Sequence, residues 1–255
     1  MRDVRVHVDP ALTGSPLASG RRVELPAAAA LHLTRVLRLR EGATLSVFDG
    51  QGGEYAATLH LGNRGSATVE VGEHRAIERE SRVRITLLQG LARGERMDWV
   101  IQKATELGVA AIIPVASQRS VVQLEAERGD RRLQHWRAVA AAACEQCGRN
   151  TLPRIEAPRN FGEALAAAAD VPLRLLLEPD SGRALGEVLG ERRGASAPTE
   201  LALLVGPEGG WDELEIALAR QAECMTVSLG PRVLRTETAG LAALAAVQCL
   251  AGDFA

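Results

Sequence analysis

The spacing of apolar and polar residues changes character once along the chain, near residue 80. Before that point Val4-Arg5-Val6-His7-Val8 alternates with period two, as a strand does when one face lies in a core. Residues 44–48, 55–60 and 67–71 read as further strands. Between them, Asp49-Gly50-Gln51-Gly52-Gly53 and Gly62-Asn63-Arg64-Gly65 supply residues that take positive φ at little cost, as chain reversals require. One helix interrupts the strands, beginning near Pro26 and carrying Ala29, Leu31, Leu33, Val36 and Leu37. A β-barrel of short strands with a single helix is expected for a first domain, residues 1–75.

From Arg82 onward short apolar runs alternate with helical periodicity. The expected strands are 83–88, 111–115, 154–156, 173–177, 201–205 and 225–228, with helices filling most of the gaps. Such an order predicts an α/β fold, a parallel sheet covered on both faces, for a second domain spanning 80–255. The polar stretch 74–81 is the expected linker.

Composition narrows the class. At 255 residues and 46% hydrophobic content, the chain is long enough for one large core or two modest ones. No apolar run approaches bilayer length, and Met1-Arg2-Asp3-Val4-Arg5 does not build a signal peptide, so a soluble cytoplasmic protein is expected, with no membrane partner. Cysteines at 144, 147, 224 and 249 are too few for a disulfide scaffold. Cys144-Glu145-Gln146-Cys147 lacks a second pair at matching spacing, reads as two small buried thiols in an alanine-rich helix, and no metal is assigned. The net charge of −2 opposes a nucleic-acid partner only on average: residues 1–40 hold seven arginines against three acids. A basic face is possible there, beside the plainer reading of solvated arginines in ion pairs.

Four segments carry candidate chemistry. Residues 94–108 form a helix in which Met97, Val100, Ile101, Ala104 and Leu107 share one face. Asp98, Gln102 and Glu106 make a polar row beside Lys103, the chain's only lysine. A solvated Lys103–Glu106 pair accounts for that row on spacing alone. A second helix, about 130–148, ends in Gly148-Arg149-Asn150, where Arg149 either binds a phosphate or a base, or caps the helix carbonyls. The apolar strand 201–205 runs into Gly206-Pro207-Glu208-Gly209-Gly210 and then a helix. This is neither the dinucleotide nor the nucleotide-triphosphate glycine pattern, and Glu208 stands where a phosphate would sit, which suits a ligand with hydroxyls or a cationic group. Finally Leu229-Gly230-Pro231-Arg232-Val233-Leu234-Arg235-Thr236-Glu237-Thr238 leads into an apolar helix, with Thr236 a reasonable helix start. Both glycine runs follow strands, at the sheet edge where open α/β folds collect ligands.

With Arg35-Val36-Leu37-Arg38, Asp49-Gly50, Lys103-Ala104-Thr105-Glu106-Leu107-Gly108 and Glu145-Gln146-Cys147-Gly148-Arg149, these runs make nearly the whole chain similar to the ribosomal RNA small subunit methyltransferase E family, whose members methylate N3 of a uridine in 16S rRNA. The resemblance implies a PUA-like RNA-binding barrel followed by a SPOUT-class domain. In that domain the C-terminal segment threads a loop to form a deep trefoil knot, a rare topology. It implies S-adenosylmethionine as cofactor, 16S rRNA or the small ribosomal subunit as partner, and a homodimer. Carried over residue by residue, it assigns cofactor binding to Leu177, Glu178, Gly206, Pro207, Glu208, Gly209, Gly210, Leu229, Gly230, Arg232, Leu234 and Thr238. Methyl transfer to N3 then needs a group to stabilise negative charge on the uracil oxygens, for which Arg235 is the candidate, and an acceptor for the N3 proton, Glu237 or a bound water. RNA contacts fall to Arg35, Arg38, Lys103 and Arg149. The alternative is a non-catalytic RNA-binding or ribosome-assembly protein that keeps the fold. A dehydrogenase is disfavoured because the glycine fingerprint with its distal acid is absent.

Overall fold

The computed structural model describes residues 4–14, 16–120, 126–192 and 198–254; the charge alternation read at residues 1–3 lies outside them. The chain divides into two compact units, Met1–Glu80 with Ala141–Leu152, and Ser81–Ala140 with Pro153–Ala255. Segment 141–152, which the sequence reading leaves in the second domain, therefore clusters with the first.

In the first unit five strands, β1 (Arg5–His7), β2 (Arg22–Glu24), β3 (Thr44–Phe48), β4 (Glu54–Leu61) and β5 (Ala67–Arg75), form one sheet in the order β1-β3-β4-β5-β2. The pairing is antiparallel except for β1 beside β3. Strands β1 and β2 are the two edges, with no pairing between them among the described residues, and the sheet is a curled half-barrel, in keeping with the expected PUA-like barrel. A short helix α1 (Pro10–Thr13), absent from the sequence reading, lies between them in the chain. Helix α2 (Ala27–Leu31) runs into a π-helical turn, His32–Val36, closed by Leu37 N donating to His32 O at 2.9 Å. Ala30 and Leu33 from this pair are wholly buried among Val6, Leu45, Val47, Leu59 and Val69, so the helix closes one side of the core.

The other face of β1 and β4 holds charge. Arg5 pairs with Glu54, and its second guanidinium nitrogen donates to Asn150 Oδ1 at 2.5 Å and to the Arg149 carbonyl at 3.1 Å. Asn150, itself fully buried, donates to the Ile77 carbonyl at 2.6 Å. Hydrogen bonds of this kind attach segment 141–152 to the half-barrel.

The second unit is a parallel sheet with helices on both faces. It comprises β6 (Arg84–Gly90), α3 (Arg96–Glu106), β7 (Ala111–Ala116), α4 (Ala126–Cys147, to Ala140 in this unit), β8 (Arg154–Ile155), β9 (Arg159–Asn160), α5 (Phe161–Ala167), β10 (Arg174–Leu177), α6 (Leu185–Gly190), β11 (Glu200–Val205), α7 (Glu213–Gln221), β12 (Met225–Val227) and α8 (Thr236–Leu250). The strand order is β12-β10-β11-β6-β7-β8, with β9 also on β7. The six strands expected from apolar runs are all present. Strand β9 was missed, since two polar residues carry no pattern. Alternate residues of β11 go to opposite cores: Leu201, Leu203 and Val205 pack under α3, α6 and α8, while Ala202 and Leu204 pack under α5 and α7. Burial on both faces is why these strands are continuously apolar. Each wholly buried leucine stabilises the sheet by roughly 1.5–3 kcal/mol.

Candidate active site

Parallel strands end together, so the loops that follow β10, β11 and β12 meet at one edge of the sheet. There they enclose a cavity of about 640 Å³. Its walls are Leu177 to Pro179 after β10, Val205 to Trp211 after β11, and Val227 to Gly230 with Arg232 to Glu237 after β12; Arg96, Arg119 and Ala239 complete them.

Buried contacts hold these loops in register. Gln89, fully buried at the end of β6, donates from Nε2 to Thr236 Oγ1 at 2.9 Å, and Thr236 Oγ1 donates to the Gly206 carbonyl at 2.5 Å. The first turn of α8 is thereby bound to the loop after β11. Beside it Gly90 lies flat against that loop: a Cβ there would sit 2.4 Å from Pro207 N and 2.7 Å from the Gly206 carbonyl carbon, so only glycine fits. Gly210, at φ 71°, closes the turn by donating its amide to the Pro207 carbonyl at 2.9 Å. Asp212 then caps α7 reciprocally with Glu215. The loop after β10 is pinned by Glu178 N to Val227 O at 2.9 Å and Ser181 Oγ to Thr226 O at 2.9 Å.

The charges on the wall are organised around Arg96. Its guanidinium is 2.7 Å from Glu208 Oε1 and its Nε is 3.8 Å from Glu237 Oε1, so one arginine spans both loops. Burial works against ionisation of Glu208, but hydrogen bonds from its own amide, the Arg93 amide and Arg96 outweigh it, holding the carboxyl below the usual carboxylate range. Trp211 packs edge-on to Phe161 at 4.9 Å, and its buried Nε1 has no protein acceptor among the described residues. Glu237 Oε2 likewise has no donor among the described residues. The cradle thus combines close-approaching glycine backbone, buried polar atoms left over, and both carboxylates and arginines on its wall, in a volume that holds a small molecule.

Residues 79–248 match the RNA methyltransferase domain family, and residues 25–72 match the RNA methyltransferase PUA domain. The chain is 33% identical over 229 residues to the ribosomal RNA small subunit methyltransferase E of Bacillus subtilis, covering 87% of this chain and 89% of that one. It belongs to the small-subunit methyltransferase E family. Among solved structures, the family's enzyme from Neisseria gonorrhoeae, bound to S-adenosylmethionine, matches over the full length of both chains at 37% identity and a TM-score of 0.85. A methyltransferase from Legionella pneumophila with bound S-adenosylmethionine matches over the full length of both at 33% identity and a TM-score of 0.90.

Of the cofactor residues that the family resemblance assigned, all but Thr238 line the cavity, as do Arg235 and Glu237. Thr238 is exposed, and its amide donates back to the Arg235 carbonyl within the first turn of α8. The four positions assigned to RNA are elsewhere. Arg35 and Arg38 are exposed on and just after the π-helical turn, Arg38 at φ 53°. Lys103 pairs with Glu106 at 2.8 Å and lies 5.2 Å over the Trp99 ring. Arg149 needs correcting: only 4% exposed, its guanidinium is given to Glu80 at 2.5 and 2.9 Å, and it has no surface to offer a phosphate. The sequence reading missed Gln89, Gly90, Arg96, Arg119 and Trp211. Gly90 alone left a signal, a glycine closing an apolar strand. Cys144 is buried and Cys147 half-buried, both as free thiols. Among the described residues no cluster of His, Cys, Asp or Glu is arranged to hold a metal ion.

Proposed function

We propose that this protein transfers a methyl group from S-adenosylmethionine to N3 of a uridine near the 3′ end of 16S rRNA, with the second unit as methyltransferase domain and the first as RNA-binding domain. The observation that carries the reading is the cavity itself: two glycine-built loops, bound together through Gln89, Thr236 and Gly206, in a chain of this family. When bound, the cofactor supplies an electrophilic methyl carbon on a sulfonium. Gly206 to Gly210 and Leu229 to Leu234 present backbone that approaches it closely, and Glu178 and Glu208 put negative charge on the wall of a cationic ligand's site. Neutral uridine is a poor nucleophile at N3 and must lose its proton there. Arg235 stabilises the negative charge that develops on the ring oxygens, and Glu237 or a bound water accepts the proton. Positioning supplies the rest, since in-line displacement requires N3 behind the methyl carbon.

The reading includes the deep trefoil knot of SPOUT enzymes. It is supported by the way β12 adds outside β10 while α8 returns to pack on β6 and β11, with loop 178–184 beside the crossing. An experimental structure with an unthreaded tail would remove it. It also includes a cytoplasmic homodimer. Trp99, 53% exposed on α3, and Leu250, 37% exposed on α8, are apolar groups on two helices packed together. Sedimentation equilibrium is expected to give about twice the 27.1 kDa chain mass, and a monomer mass would oppose the dimer. Among the described residues no helix is long and apolar enough to cross a membrane.

The methyltransferase reading is tested by titrating S-adenosylmethionine calorimetrically and by mass-mapping methylated nucleotides of 16S rRNA from cells with and without the protein. Saturable binding and the loss of one methyluridine are expected. Absence of cofactor binding would favour the non-catalytic alternative.

A further inference from the structure

Four arginines line the cavity, and their charges are answered differently. Arg96 is held between Glu208 and Glu237. Arg119, exposed on the turn after β7, pairs with no carboxylate among the described residues, yet its place is fixed from several sides. Within the turn, Ser117 N donates to Ser120 Oγ at 3.1 Å and Ser120 N donates to Ser117 O at 3.0 Å. Gln118 N donates to Glu215 Oε1 at 3.1 Å, and Glu215, 4% exposed, is the residue that closes the cap of α7. Arg119 itself covers Gly209 so closely that a Cβ on that glycine would lie 3.0 Å from the arginine Cβ, and its guanidinium donates to the Gly209 carbonyl at 3.2 Å. The carboxylates that could neutralise this cation sit instead on Arg96.

A buttressed guanidinium uses one N–H on Gly209 and keeps its remaining donors open on an exposed side. Guanidinium groups match phosphate oxygens in pairs, and an RNA strand brings one phosphate with every nucleotide. The cofactor's sulfonium is itself positive and gains nothing from this cation; only the cofactor's carboxylate could compete for it, and the cofactor affinity of the Arg119 variants tests that. We propose that Arg119 is a substrate-binding residue that takes a phosphate of the RNA strand at the cavity mouth, beside the uridine being methylated. The inference rests on the methyltransferase reading above. It makes the loop after β7 a part of RNA recognition on the second unit, separate from the arginines of the first.

The test uses the full-length protein, unmodified small ribosomal subunits as substrate, and the variants Arg119→Gln and Arg119→Lys. For Arg119→Gln the KM for the subunits is expected to rise about 3–10-fold, and the slope of log affinity against log salt to flatten by about 0.7–0.9, one phosphate contact. The calorimetric Kd for S-adenosylmethionine should stay unchanged, which also certifies that the variant is folded. Arg119→Lys, which keeps the charge, is expected to restore the salt slope. An unchanged slope in Arg119→Gln overturns the proposal. So does a weakened cofactor Kd with normal RNA binding, because the anion would then be the cofactor's own carboxylate. If the unsubstituted protein fails to methylate the subunits, the functional reading itself is at fault, and the two failures are distinct.

Discussion

Arg235→Ala is expected to lower kcat for methylation by about 10²–10³-fold, the usual effect of removing one donor aimed at a developing oxyanion. The Kd for S-adenosylmethionine should remain within about threefold of its original value. The two readouts separate because of where Arg235 sits. It is the residue that opens α8, but it caps that helix with its backbone alone: its carbonyl accepts from Thr238 N at 2.9 Å and Ala239 N at 2.8 Å, and its side chain makes no capping bond. Alanine keeps both backbone bonds, and the link from Gln89 through Thr236 to Gly206 does not involve residue 235. The cradle therefore stays assembled, and what is lost is an exposed cation at the cavity wall. Steady-state rates with saturating cofactor and subunits give kcat, and single-turnover rates isolate the methyl-transfer step from product release. A variant with normal turnover would remove Arg235 from the chemistry. One with a collapsed cofactor Kd would move it to cofactor binding.

Much of this arrangement can be read from the chain because it rests on local pattern. Strands buried on both faces must be apolar throughout, and 201–205 is; loops that bring backbone near a ligand need glycine, and Gly206, Gly209 and Gly210 supply it. What stays hidden depends on partners distant in sequence. Arg96 looks like any helix-surface arginine until Glu208 and Glu237, more than a hundred residues later, are brought to it by the sheet order. Gly90 reads as a strand end, and only its contact with Pro207 shows that a methyl group is excluded. Arg149 is the converse case. Its neighbours Gly148 and Asn150 suggest an open loop with donors to spare, whereas Glu80 and the buried Asn150 carry it inward. Burial of a charge follows from tertiary packing and leaves no periodic mark, which is also why segment 141–152 could not be separated from the helix that precedes it.

That inward packing has a measurable consequence. Glu54→Ala is expected to destabilise the first unit by about 3–5 kcal/mol, because it strands the Arg5 guanidinium in a site where both side chains are at most 10% exposed. Asn150 Oδ1 and the Arg149 carbonyl still accept from Arg5, but neither carries a full charge to balance it. A loss of this size is a large share of the roughly 5–15 kcal/mol that holds a domain together, so the first unit should unfold well before the second in urea. The double variant Arg5→Met with Glu54→Leu distinguishes a stranded charge from lost packing. Replacing both partners removes the desolvation cost along with the attraction, so the double variant should recover the stability lost in Glu54→Ala less what the Arg5 hydrogen bonds to Asn150 and Arg149 contribute. Urea midpoints for the single and double variants, followed by a probe confined to residues 1–80, provide the comparison. If the double variant is as unstable as the single one, the pair's role is not electrostatic, and the hydrogen bonds from Arg5 to segment 141–152 hold the unit together instead.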